Sequence, residues 1–129
     1  MLKKIRHVGI EVKDLERAID KFKGFGLYLS EVTEVKELGA KIAFFPIEES
    51  LIELIYYTQP QKLDKAVFFK KSAINHICFE VDDLERSIQD FEKSGAKLVE
   101  GFPRLGAHGR VAFFHPETTE NALIEICQL

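Results

Sequence analysis

The chain is short of cysteine, of net positive charge and of long apolar runs, and each shortage removes a class of protein. Two cysteines, Cys78 and Cys127, cannot build the disulfide framework of a small secreted scaffold. A reduced, cytoplasmic protein is the simplest expectation. Eighteen lysines and arginines against 21 aspartates and glutamates leave a net charge of −3, so no strong positive field is available to hold nucleic acid. No apolar stretch approaches the ~20 residues that cross a bilayer. The start, MLKKIRHVGIEV, has a basic flank without the apolar core of a secretory signal. Low-complexity segments are missing as well. With 129 residues, what remains is one globular domain spanning 1–129, or two half-domains sharing a core.

What is present is a repeat. Residues 7–29, HVGIEVKDLERAIDKFKGFGLYL, match residues 76–98, HICFEVDDLERSIQDFEKSGAKL, at an offset of 69, with 11 of 23 positions identical. KIAFFP at 41–46 matches RVAFFHP at 110–116 at the same offset. LIELI at 51–55 then matches LIEIC at 123–127 at an offset of 72, so the second copy carries three extra residues. A repeat of this length fixes the architecture before any single element does.

Each copy opens with a strand. Val8, Ile10 and Val12 alternate with His7, Gly9 and Glu11, and Ile77, Phe79 and Val81 alternate with His76, Cys78 and Glu80. Period 2 puts each histidine on the face opposite the aliphatic stripe. A helix follows, with Asp14 and Asp83 as N-caps and Glu16 and Glu85 in the first turn. Leu15, Ile19 and Phe22, like Leu84, Ile88 and Phe91, make one inward stripe, and Gly26 and Gly95 end the helices. Three more strands are expected per copy, over 28–36, 40–45 and 51–57, then over 97–102, 110–115 and 123–127. The fold class is therefore α+β: two tandem βαβββ units, about 3–57 and 74–129, forming a curved mixed sheet around a shared site. A polar, lysine-rich linker with a short helix is expected over 58–73. One unit alone would expose an apolar sheet face, so the two must share a core.

Glu53 and Glu125 stand inside strongly apolar strands. A lone carboxylate there is costly unless paired or bound to a metal. Pseudo-twofold symmetry brings His7, Glu53, His76 and Glu125 toward one centre. Two neutral imidazoles and two carboxylates balance one divalent cation, and mixed N/O donors suit Zn, Ni, Co, Fe or Mn. The competing account makes the histidines edge-strand residues and the glutamates solvent-facing. Recurrence of all four in register favours the metal site. His108 and His115 do not recur. His108 is expected in a loop or against substrate, and His115 at a strand end. Cys78 and Cys127 each follow a proposed ligand by two residues and are expected to line the site.

The duplicated βαβββ pattern, carried by HVGIEVKDLERAI, LIELI, NHICFEVDDLERSI and ALIEICQ, resembles the vicinal oxygen chelate superfamily over 7–128. The second half, with HICFEVDDLERSI, PRLGAHGRVAFFHP and LIEICQ, looks most like the methylmalonyl-CoA epimerases. The resemblance implies one divalent metal held by His7, Glu53, His76 and Glu125, an acyl-CoA or related thioester substrate, and a homodimer. It implies interconversion of stereoisomers through a metal-stabilised enolate, with Glu125 as one acid/base. Some of these epimerases place a glutamate base on the strand over 40–45. Here Lys41 or Ile42 stands there, and Glu80, Glu11 and Lys41 are the remaining candidates for the second group. Glu53 rather than glutamine also fits the glyoxalase I ligand set, so a lactoylglutathione lyase is the alternative. A non-catalytic binding protein of the bleomycin-resistance type is the other. Lys62, Lys65, Lys70 and Lys71 could meet CoA phosphates or simply face solvent.

Overall fold

The structure is a computed structural model and describes residues 2–68 and 73–129. Strand β1 (Leu2–Glu11) leads into helix α1 (Leu15–Gly24), then β2 (Glu31–Val35), β3 (Ala40–Ile47) and β4 (Ser50–Tyr57). The second copy runs β5 (Ile74–Val81), α3 (Leu84–Lys93), β6 (Arg104–Gly106), β7 (Gly109–Phe114) and β8 (Ile124–Gln128). A four-residue helix, α2 (Lys65–Phe68), lies in the connection.

All eight strands join one mixed sheet, in the order β2-β3-β4-β1-β5-β8-β7-β6. β1 and β5 pair antiparallel at the centre, and each pairs in parallel with the last strand of its own copy. The pseudo-twofold relation therefore runs between the two histidine-bearing strands. A flat sheet of this width would separate its edge strands by about 34 Å. Instead the His108 ring, in the β6–β7 turn, lies 2.9 Å from Glu31 at the start of β2. Arg104 on β6 also donates to the Glu37 carbonyl at 3.1 Å. The sheet is thus curled almost into a barrel.

The helices cover its outer face. Asp14 and Asp83 cap them as expected, accepting from Arg17 and Arg86 N–H at 3.1 Å each. Gly26 and Gly95 follow the helices in the left-handed region, at φ 95° and 100°, which L side chains resist. Leu15, Ile19 and Phe22 pack on Phe45 and Leu54. Leu84, Ile88 and Phe91 pack with Phe114 and Ile126.

Three expectations need correction. The strand over 97–102 does not form. Leu98 makes a single bridge to Phe114, residues 100–101 turn, and the edge strand is Arg104–Gly106. Val99 and Phe102 are both buried in the core, but from a turning segment rather than a strand. The strand over 28–36 is shorter, Glu31–Val35. The connection is less polar than its lysines suggest, because Leu63, Val67 and Phe68 are buried in the core. Lys70 and Lys71 lie outside the described residues. Lys62 is exposed and donates to the Lys36 carbonyl at 2.7 Å. The three additional residues of the second copy fall between β7 and β8. There a 3-10 turn (Pro116–Thr118) and left-handed Glu120 and Asn121 replace the tight turn at Glu48 and Glu49.

Candidate metal centre

The four singled-out residues come together on the inner face, all from one chain. His7, Glu53, His76 and Glu125 are exposed by only 7, 6, 6 and 5%, which removes the solvent-facing account of the glutamates. The curl buries side chains on the face of β4, β1, β5 and β8 opposite the helices as well as on the face beneath them. Glu53 and Glu125 therefore sit between apolar neighbours, almost fully buried.

Three donor atoms form a triangle. His7 Nε2 lies 2.9 Å from His76 Nε2, and Glu125 Oε1 lies 3.0 and 2.9 Å from the two nitrogens. Glu53 Oε2 stands 2.8 Å from His7, on its Nδ1 rather than its Nε2. A carboxylate only accepts, so His7 Nδ1–H donates to Glu53. His76 is set in a similar way by Asn75. The Asn75 amide nitrogen donates to the Phe68 carbonyl, which turns its Oδ1 toward His76 Nδ1 at 2.8 Å. His76 Nδ1 is therefore the donor, and its Nε2 carries a lone pair into the centre.

The centre is poor in protons. Glu125 Oε1 is buried, and the two imidazole nitrogens stand beside it at hydrogen-bond distance. Burial pulls the His7 pKa down, but Glu125 and Glu53 outweigh it and raise it to about 10. Burial pushes Glu125 up, and the two histidines outweigh that and hold it at about 2. Without metal, then, a proton on His7 answers the carboxylates. The donor chemistry fits a divalent ion. The donor atoms of His7, Glu53 and His76 lie within 4.8 Å of one another, as do those of His7, Cys78 and Glu125. Two imidazoles and two carboxylates cancel the charge of such an ion, and their mixed N/O donors are of the kind it takes.

The centre opens into a cavity of about 650 Å³, partly continuous with solvent. Its walls are mainly apolar, with Ile42, Ile55, Phe68 and Phe113 among them. Ile42 faces inward and Lys41 is exposed, so no carboxylate of β3 reaches the cavity. Glu80 is engaged by Lys3 at 3.2 Å and Lys4 at 4.0 Å, and neither Glu80 nor Glu11 lines the cavity. His108 does line it, its ring tilted by 40° against Phe44, while His115 is tied to Glu100 at 3.0 Å, away from the centre. Cys78 and Cys127 are free and buried, Cys127 on the cavity wall and Cys78 beside His7 and Glu125.

Sequence reasoning missed Arg6, Gly9, Tyr57 and Asn75. Gly9 pairs with His76 across β1 and β5, and a Cβ there would meet the imidazole at 2.5 Å. Tyr57 lines the cavity with its hydroxyl buried, and burial raises its pKa. No local sequence signal marks these four, because their roles depend on cross-strand register.

Paired βαβββ units curled around a histidine–glutamate centre define a protein of the vicinal oxygen chelate architecture. A family model described as Glyoxalase/Bleomycin resistance protein/Dioxygenase superfamily matches residues 6–114, and the chain belongs to that family. It is 31% identical to a mitochondrial methylmalonyl-CoA epimerase of Dictyostelium discoideum, over 95% of this chain and 76% of that one. It is 30% identical to an ethylmalonyl-CoA/methylmalonyl-CoA epimerase of Cereibacter sphaeroides over the full length of both. Among solved structures it resembles the methylmalonyl-CoA epimerase of Mycobacterium tuberculosis, with a TM-score of 0.84 and 25% identity over 98% of this chain and 88% of that one. The superfamily expected from the sequence is thus borne out.

Proposed function

We propose that the protein is a metal-dependent isomerase that epimerises methylmalonyl-CoA or a similar acyl thioester. The observation that carries this reading is the buried His7–His76–Glu125 triangle, flanked by Glu53 and opening into an apolar cavity. The epimerase relatives over the full chain support the substrate class. His7, Glu53, His76 and Glu125 would hold the ion. When bound, a divalent cation supplies a Lewis acid for two vicinal substrate oxygens and offsets the charge left when the α-proton departs.

The chain's own residues do the rest. Glu125 takes the α-proton on its carboxylate. Inversion needs a second group on the other flank of the substrate. In the sheet order β4-β1-β5-β8 the two histidines lie between Glu53 and Glu125, so Glu53 is the carboxylate on that flank. Lys41 is excluded by its exposure and Glu80 by its lysine partners. The apolar walls keep water from the carbanionic centre. A homodimer belongs to the same reading, although the site residues all come from one chain.

One observation favours a second reading. With Ile42 in the cavity wall, the acid/base set consists of two ligand carboxylates related by the repeat. The same set suits a glyoxalase I-type lyase acting on a glutathione hemithioacetal. Incubating metal-loaded protein with methylmalonyl-CoA in deuterated water separates them. Exchange of the α-proton that disappears in Glu125→Ala is expected. Absence of exchange together with turnover of the methylglyoxal–glutathione adduct would transfer the assignment to the lyase.

A further inference from the structure

Arg6 immediately precedes the first histidine, and strict strand alternation would point it to the face opposite His7. The structure does otherwise. Between Ile5, paired with Phe79, and His7, paired with Cys78, the β1–β5 register slips, so Arg6 and His7 together oppose one residue. In such a bulge the extra residue is re-aimed, and here Arg6 lines the same cavity as the four metal-site residues. Ser50 pins the segment from the other side, its hydroxyl donating to the Ile5 carbonyl at 2.7 Å.

The second copy has the same device. Its register slips at the matching place, leaving Asn75 as the extra residue on β5 between Ile74 and His76. Asn75 is Arg6 shifted by 69, and it is wholly committed, to His76 and to the Phe68 carbonyl. Arg6 has no hydrogen bond or ion pair among the described residues. The fold therefore builds two equivalent positions beside the histidines. One is used to orient a ring, and the other puts on the cavity wall an arginine without a hydrogen-bond or ion-pair partner among the described residues.

Charge indicates what it is for. A divalent ion and the two glutamates cancel, with both imidazoles neutral. Arg6 is then the surplus positive charge on the wall of a mainly apolar cavity. A guanidinium there matches one planar carboxylate, in two parallel hydrogen bonds. We infer that Arg6 is the specificity-determining residue that binds the free carboxylate of a dicarboxylic half-thioester, and so selects acyl thioesters carrying a second acid group. This rests on the acyl-thioester reading above. A glutathione hemithioacetal has no carboxylate at its reacting end and would leave Arg6 unmatched.

The test compares two ligands on metal-loaded protein by titration calorimetry. Methylmalonyl-CoA and propionyl-CoA share every CoA phosphate and differ in the free carboxylate. Arg6→Gln should weaken methylmalonyl-CoA by roughly 10- to 100-fold and leave propionyl-CoA unchanged. Arg6→Lys, which keeps the charge but not the fork, should restore part of the loss. Equal weakening of both ligands would assign Arg6 to the CoA phosphates and overturn the inference, as would no weakening of either. If Arg6→Gln does not fold, Arg6→Lys carries the same comparison with a smaller expected loss. Binding of methylmalonate itself, with no thioester, keeps the two claims apart. Arg6-dependent binding of methylmalonate without α-proton exchange in wild type would sink the epimerase and leave Arg6 standing. Exchange that persists in Arg6→Gln with an unchanged KM would do the reverse.

Discussion

His7 Nε2 and His76 Nε2 face each other at 2.9 Å, although 69 residues separate them in the chain. Their strands are antiparallel neighbours, and Glu125 Oε1 closes the triangle from β8. Without metal, the two carboxylates hold a proton on His7.

Metal uptake should therefore release that proton. His7 is held at about 10 in the metal-free protein, whereas a ligating imidazole nitrogen carries no proton. At pH 8 one proton per ion should appear, read by calorimetry in two buffers of different ionisation enthalpy. Apparent affinity should rise about tenfold per pH unit between pH 7 and 9. His7→Ala should abolish stoichiometric uptake by elemental analysis.

The metal-free protein should lose stability in alkali. The His7 pKa is raised from 6.5 in the unfolded chain to about 10, so its contribution is fully present below pH 6.5 and is lost as pH rises through 10. Glu125 is lowered from 4.5 to about 2, so its contribution is present above pH 4.5 and is lost as pH falls through 2. Tm measured from pH 6 to 10 should fall in wild type and stay flatter in His7→Gln. Saturating metal should remove the alkaline decline.

Gly9→Ala should damage the centre without touching a ligand. Its Cβ would lie 2.5 Å from His76 Cε1 and 2.8 Å from Nδ1, so the ring must move. A drop in metal affinity of roughly 10- to 100-fold is expected from a misplaced ligand. Gly24→Ala is the control, since a Cβ there meets nothing within 4 Å. It should leave metal affinity unchanged and stabilise the helix end slightly.

Asn75→Ala removes the acceptor that fixes His76 and leaves the Phe68 carbonyl unpaired. Metal affinity should fall by roughly 10- to 100-fold. Stability should fall by about 1–3 kcal/mol, because buried polar groups are left unsatisfied. Chemical denaturation and competitive metal titration separate the two effects. A loss of stability with metal affinity intact would show that Asn75 serves the fold alone.

Glu125→Gln keeps the shape of the side chain but removes the base. Turnover should fall by roughly 10²- to 10⁴-fold. Retained metal content, checked by elemental analysis on the same sample, would show that the loss is chemical rather than structural.

Much of this was legible in the chain. Asp14 and Asp83 announce the helix starts, and Gly26 and Gly95 the stops, because capping and positive φ are local requirements. The segment over 97–102 shows the limit of the same reasoning. Val99 and Phe102 are buried as strand residues would be, yet the backbone between them turns at 100–101. Phe68 was hidden among lysines and proves to be a cavity wall, because burial is set by what folds over a segment rather than by its neighbours in sequence.

By itself the sequence determined the duplication, the βαβββ order and the four polar positions inside apolar strands, since each is written in identity, period and composition. The tertiary structure alone decided that β1 and β5 meet, which carries His7 to His76 across 69 residues. It also decided that Ile42 rather than Lys41 faces the cavity, that Asn75 orients His76, and that Arg6 turns inward. The physical reason is register. A strand's composition shows that its faces differ, but which residue opposes which, and where a bulge reverses the alternation, depends on a partner strand far away in the chain.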